Sequence, residues 1–122
     1  MVCFDVIFLV DDDPINNLIN RRLLGKINIG LRIEEFISAQ KALEKIKALD
    51  PQESLLIFLD INMPVLNGWE FLDAYANSFP EREDKIIILS SSIDFQDRQK
   101  ALAYPIVSGF LEKPLSLEKI NF

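Results

Sequence analysis

Three apolar runs in this 122-residue chain end in charge. Phe8-Leu9-Val10 leads into Asp11, Asp12 and Asp13. Leu55-Leu56-Ile57-Phe58-Leu59 leads into Asp60, with Met63-Pro64 and Gly68 beyond it. Phe110-Leu111 leads through Glu112 into Lys113-Pro114. Each reads as a buried strand that delivers a charge at its C-terminal end. In an open parallel α/β sheet those ends face one crevice, where ligands bind. Carboxylates and a lysine gathered there suit a divalent cation and a phosphoryl group.

The individual side chains sharpen that reading. Asp11 and Asp12 are neighbours on an extended segment, so they point different ways and only one enters the crevice directly. Asp13 is better placed as a helix cap. Asp60 follows five apolar residues, and burying a carboxylate without a partner is costly. Lys113 is its natural partner. Three acids against one lysine still leave excess negative charge, which a cation would relieve. Ser90 brings a hydroxyl to the end of a fourth apolar run, Ile86-Ile87-Ile88-Leu89. Phe110 reads, on composition, as a core aromatic.

The elements that must position these residues alternate strand and helix. The first strand covers about 5–10. Asp13-Pro14 gives an N-cap and a proline at the first helical position. Ile15, Leu18, Ile19 and Leu23 then recur at helical spacing, with Gly25 as the stop. A weaker strand covers about 31–37. Ser38 caps a helix with Ala42, Leu43, Ile46 and Leu49 on one face. The third strand, 55–59, is continuously apolar, as a central parallel strand buried on both faces is. A helix carrying Trp69, Leu72, Tyr75 and Ala76 follows, then a polar loop over 77–84. The fourth strand runs into Ser90-Ser91-Ser92. Asp94 caps a short helix to Leu102, the fifth strand covers 107–111, and Ser116 opens a last, short helix. This order predicts a doubly wound parallel sheet in a single domain, 1–122.

Bulk properties exclude several classes. The net charge of −6 argues against nucleic-acid or anionic-membrane surfaces. No apolar run approaches the length of a membrane span, and no basic start followed by a long apolar stretch marks a signal peptide. The single cysteine, Cys3, has no internal partner, which fits a reducing cytoplasm. The chain has no histidine, so it uses none as a general base, zinc ligand or phosphate carrier.

Leu-Val-Asp-Asp-Asp at 9–13, Leu-Asp-Ile-Asn-Met-Pro-Val-Leu-Asn-Gly at 59–68 and Lys-Pro at 113–114 together resemble the receiver domain of two-component response regulators. The likeness runs from about Val6 to Phe122. It implies a flavodoxin-like, three-layer α/β/α fold, with a five-stranded sheet in order 2-1-3-4-5 and five helices. It implies a phosphorylation-activated switch in which Asp60 accepts a phosphoryl group from a sensor histidine kinase or phosphotransfer protein. Mg²⁺ is the implied cofactor, with Asp12 as direct ligand, Asp11 as water-mediated ligand, and Asp60 and the Asn62 backbone carbonyl completing the set. Lys113 would contact a phosphoryl oxygen. Ser90 would hold the switch Thr/Ser position, and Phe110 would be the switch aromatic, without the hydroxyl of the commoner tyrosine. Such a domain is no conventional enzyme; it catalyses its own phosphorylation and dephosphorylation at Asp60. The resemblance leaves room for a homodimer through the face of the fourth and fifth strands, and it implies no direct contact with nucleic acid or membrane.

Three other readings fit less well. A receiver-like binding module that is never phosphorylated has no need for Asp11, Asp12, Asp60, Ser90 and Lys113 together. A haloacid-dehalogenase-like phosphohydrolase needs a second acid two residues after its nucleophile, where this chain has Asn62. A flavodoxin has a first loop rich in Ser, Thr and Gly, whereas this loop is acidic. One geometric expectation follows at the far end. Lys113 must point back to Asp60 while the chain turns at once towards Ser116, so the Lys113–Pro114 bond is expected to be cis despite its rarity.

Overall fold

Five strands alternate with helices along the chain: β1 (Phe4–Val10), α1 (Pro14–Gly25), β2 (Gly30–Phe36), α2 (Ala39–Ala48), β3 (Leu55–Leu59), α3 (Gly68–Ser78), β4 (Lys85–Ser90), α4 (Phe95–Leu102) and β5 (Val107–Glu112). In the computed structural model, which describes residues 4–91 and 94–120, they form one parallel sheet in the order β2-β1-β3-β4-β5. The chain winds both ways from β1, which leaves the crevice between the ends of β1 and β3.

Alternation along the central strands builds two apolar layers. Val6, Phe8, Val10, Leu55, Ile57, Leu59, Ile86 and Ile88 face one side, where they meet Ala42 and Ile46 of α2, Phe71, Leu72 and Tyr75 of α3, and Ala101 of α4. Ile7, Leu9, Leu56, Phe58, Ile87 and Leu89 face the other, where Leu24 of α1 and Leu115 cover them. Every residue of β3 is buried. Each fully buried aliphatic or aromatic side chain contributes about 1.5–3 kcal/mol relative to exposure, so the strands that end in the acids are the most firmly anchored part of the fold.

The helix caps follow the expected chemistry. The Asp13 carboxylate accepts the Ile15 amide, the Ser38 side chain accepts the Lys41 amide, and Asn67 and Glu70 form a capping box at α3. Asp94 and Asp97 form a second box at α4.

The structure corrects three expectations. Ile15, Leu18 and Ile19 are exposed; the inner face of α1 is Asn17, Asn20 and Leu24. The cause is polar: Asn17 Nδ2 donates to the carbonyls of Asp11 and Phe36, and this turns the asparagine side of α1 towards the sheet. Gly25 ends α1 as expected, and the left-handed residue beyond it is Asn28, at φ 54°. On α3, Phe71 is buried where Ala76 is exposed. After β5 the described residues hold only a short 3-10 turn, Leu117–Lys119, where a fifth helix was expected. Readings that involve Cys3, Ser92 or Phe122 lie outside the described residues.

One glycine serves the loop that follows Asp60. A Cβ on Gly68 would lie 2.6 Å from Ile61 Cα and 2.9 Å from the Asp60 carbonyl oxygen, so backbone would have to move. Gly68→Ala is therefore expected to cost about 1–3 kcal/mol in denaturant unfolding. Gly25, with no atom within 4 Å of its Cβ position, is the control. Gly25→Ala is expected to be neutral or stabilising by up to about 1 kcal/mol. Equal losses at the two sites would show that the contact with the loop is unimportant.

Candidate functional site

Strand register brings the charged residues level. Val10 of β1 pairs with Leu59 of β3, and the Asp60 amide donates to the Val10 carbonyl at 3.0 Å, so Asp11 and Asp60 emerge side by side. Ser90 of β4 pairs with Glu112 of β5, and the Lys113 amide donates to the Ser90 carbonyl at 2.9 Å. The Lys113–Pro114 peptide is cis, as the sequence led one to expect.

Lys113 Nζ donates to Asp11 Oδ2 at 2.6 Å and to Asp60 Oδ2 at 3.1 Å. The ammonium thus bridges both acids, and its shorter bond goes to Asp11 rather than to the partner expected from sequence. Both carboxylates are buried, at 4% and 7% exposure, whereas Asp12 is exposed at the rim. The remaining carboxylate oxygens are held from the backbone: the Asp13 amide donates to Asp11 Oδ1 and the Asn62 amide to Asp60 Oδ1, each at 2.9 Å. Ser90 is fully buried at the end of β4, and its Oγ accepts from Asn62 Nδ2 at 3.1 Å; Ser91 is exposed.

Burial pushes the Asp60 carboxyl above its ordinary range, against the lowering effects of the Asn62 amide and the Lys113 charge. Burial would also lower Lys113, but the bond to Asp11 and the charges of Asp60 and Asp11 outweigh it, and the ammonium is held more firmly than usual. At Asp60, burial opposes the charged form while the Lys113 ammonium and the Asn62 amide favour it.

The donor set fits a hard divalent cation. One carboxylate oxygen from each of Asp11, Asp12 and Asp60 can be chosen so that all lie within 4.8 Å of one another. Oxygen ligands with room for water at an open rim match the demands of Mg²⁺. One lysine neutralises only part of the three carboxylates, so a cation would meet uncompensated charge.

Phe110 lies half-buried on β5. The Arg98 guanidinium of α4 sits 4.6 Å from its ring centroid, a cation–π contact that sequence reading missed. Asn17 was also missed. Its amide ties the ends of β1 and β2 beneath Asp11, and its Oδ1 is the one buried side-chain polar atom without a partner among the described residues. An asparagine on the inner face of an amphipathic helix was the available signal.

Residues 7–121 match the family model of the response regulator receiver domain. The chain belongs to that family. The receiver resembles a two-component response regulator structure from Cytophaga hutchinsonii, with 32% identity, a TM-score of 0.85, and coverage of 94% of this chain and 90% of that one. A response regulator receiver protein from Dyadobacter fermentans DSM 18053 shares 27% identity at a TM-score of 0.84, covering 93% of this chain and 89% of that one. Among sequence relatives, the transcriptional regulatory protein MalR of Bacillus subtilis (strain 168) is 32% identical over 94% of the receiver, which spans only 46% of MalR. The sheet order and layering are those of receiver domains.

The raised Asp60 carboxyl has a consequence for stability. The folded receiver holds that proton more tightly than the unfolded chain does, so this residue's contribution to stability falls as pH rises from the ordinary carboxylate range through the raised folded value. Asp60→Asn removes the buried charge while Lys113 keeps Asp11 as a partner. In chelated, metal-free buffer the variant is expected to melt higher than wild type at pH 7, with the gap closing as pH falls below about 4, the unperturbed carboxylate range. A variant that melts lower than wild type at pH 7 would contradict this.

Proposed function

We propose that this receiver is a phosphorylation-activated signalling switch whose phosphoacceptor is Asp60. The observation that carries the reading is the bridging of Asp11 and Asp60 by one Lys113 ammonium, with Asp12 within reach at the rim. A structural ion pair would need one acid and one base. Three acids around one base leave negative charge to be met by a cation, which could in turn hold a transferable phosphoryl group.

In the proposed reaction an Asp60 carboxylate oxygen forms a bond to phosphorus as the P–N bond of a phosphohistidine breaks. The electron pair leaves on the donor's imidazole nitrogen. Asp60 attacks through its own carboxylate oxygen, whose ionised form the Lys113 charge and the Asn62 amide favour. Lys113 neutralises charge on a phosphoryl oxygen, and the buried Ser90 hydroxyl donates to another. Asp11, Asp12, Asp60 and the Asn62 carbonyl would hold Mg²⁺, which when bound would offset charge on the equatorial oxygens. Ser90 then turns towards the phosphoryl group and Phe110 moves inward. Because Phe110 has no hydroxyl, this step depends on packing and on release from Arg98.

The donor is a cytoplasmic histidine kinase or phosphotransfer protein. Ile15, Leu18 and Ile19 are 65%, 42% and 55% exposed on the first turns of α1, directly after the acidic loop, and offer it an apolar surface beside the crevice.

Two experiments test the reading. Acetyl phosphate with Mg²⁺ is expected to add one phosphoryl group by intact mass to wild type and none to Asp60→Asn. Saturating Mg²⁺ alone is expected to raise the melting temperature, since a ligand at 100 times its Kd stabilises by about 2.7 kcal/mol; Asp12→Ala should lose that gain. Labelling of Asp60→Asn at the wild-type rate would refute the assignment. For the α1 surface, Ile19→Glu is expected to slow transfer from a phosphohistidine donor by about tenfold, the loss of a moderate interface contact, and to leave acetyl phosphate labelling unchanged. Equal slowing with both donors would place the effect in the crevice instead.

A further inference from the structure

All four polar atoms of Asp11 are bonded. Its amide donates to the Phe36 carbonyl at 3.0 Å, its Oδ1 accepts from the Asp13 amide at 2.9 Å, and its Oδ2 accepts from Lys113 at 2.6 Å. The fourth atom, its carbonyl oxygen, accepts from Asn17 Nδ2 at 3.0 Å. β2 ends at Phe36, opposite Val10 and one residue short of Asp11. Asn17 therefore supplies from a side chain on α1 the donor that the strand ladder no longer offers.

Keeping an amide there has a cost. Asn17 is 1% exposed, and its Oδ1 is buried without a partner among the described residues. The gap that Asn17 lines with Asp11, Asn20 and Asp60 is too tight for a water molecule. Buried polar groups are normally paired, so an exception calls for a reason. Leucine has the same branched outline and would suit a wall that already holds Leu9, Phe58 and Leu89. It would carry no orphan of its own, but it would leave the Asp11 carbonyl unpaired instead. Either way one buried acceptor lacks a donor. Asparagine takes that deficit on its own Oδ1 and spares the main chain of the residue whose carboxylate meets Lys113.

We infer that Asn17 is a positioning residue for Asp11: by gripping the Asp11 carbonyl from below, it fixes the direction in which that carboxylate enters the crevice and so strengthens the hold on Mg²⁺. The inference rests on the cation site of the proposed function and adds a residue to it. Asn17 touches neither the ion nor a phosphoryl group. It acts only through Asp11, and its second bond, to the Phe36 carbonyl at 3.1 Å, ties that grip to the end of β2.

The test is a double-mutant cycle read as Mg²⁺ affinity, by calorimetry or amide-shift titration, in wild type, Asn17→Leu, Asp11→Ala and the double variant. With Asp11 present, Asn17→Leu is expected to weaken Mg²⁺ binding about tenfold, a usual cost of losing a group that orients a metal ligand. In the Asp11→Ala background the same change is expected to cost nothing further, because the residue it positions is gone. A general loosening of the fold would weaken binding in both backgrounds alike. Asn17→Ser, too short to bond both carbonyls, should show the same coupling if the leucine variant does not fold. Equal losses with and without Asp11, or wild-type affinity in Asn17→Leu, would overturn the inference and leave the cation site intact. Failure of wild type to bind Mg²⁺ would overturn the cation site as well.

Discussion

The Lys113 ammonium lies between two buried carboxylates, 2.6 Å from Asp11 and 3.1 Å from Asp60. Those three residues come from three strands, and nothing local brings them together. What does so is the parallel register: Val10 level with Leu59, and Ser90 level with Glu112. In a sheet with period-two alternation a one-residue slip in any strand would send its side chains to the other face. The two apolar layers forbid that slip, because Val6, Phe8 and Val10 must face one layer while Ile7 and Leu9 face the other. The hydrophobic pattern thus fixes the position of the charges.

Burial then sets the electrostatics of the site. A carboxylate at 7% exposure pays for desolvation, which is why Asp60 holds its proton more tightly than usual. Lys113 and the Asn62 amide keep the ionised form accessible. Asp12 remains at the rim, where an ion can exchange with water. The same crevice contains a hydroxyl at the end of β4; elsewhere on β5 an aromatic ring lies under a guanidinium. Contacts already join Asp60 to Asn62 and Asn62 to Ser90 at the end of β4.

Much of this was legible in the sequence. Continuous apolar runs that stop at Asp11, Asp60 and Lys113 gave the strands and their order of burial. Asp13-Pro14, Ser38 and Asp94 announced helix starts that the side-chain caps bear out. The failures have a common cause. On α1 the spacing of Ile15, Leu18 and Ile19 suggested a buried stripe, but two carbonyls at the strand ends required a donor, and Asn17 supplies it. Apolar periodicity reports what an exposed face can share with a buried one; it does not report which backbone groups need satisfying. Lys113 does bond Asp60, as the sequence led one to expect, whereas its tighter bond to Asp11 depends on side-chain reach, which the sequence does not encode directly. The contacts of Asn62 with Ser90 and of Arg98 with Phe110 join residues 28 and 12 positions apart on different elements, and no local pattern marks them.

The central claim is that this crevice makes Asp60, among several acids, the one that accepts a phosphoryl group. Borohydride reduces an aspartyl phosphate to homoserine and leaves free carboxylates untouched, so it marks the acceptor directly. After treatment with acetyl phosphate and Mg²⁺, then borohydride, peptide mass mapping is predicted to find homoserine at position 60 alone. Homoserine at Asp11, Asp12 or Asp13, or at no position, would contradict the account.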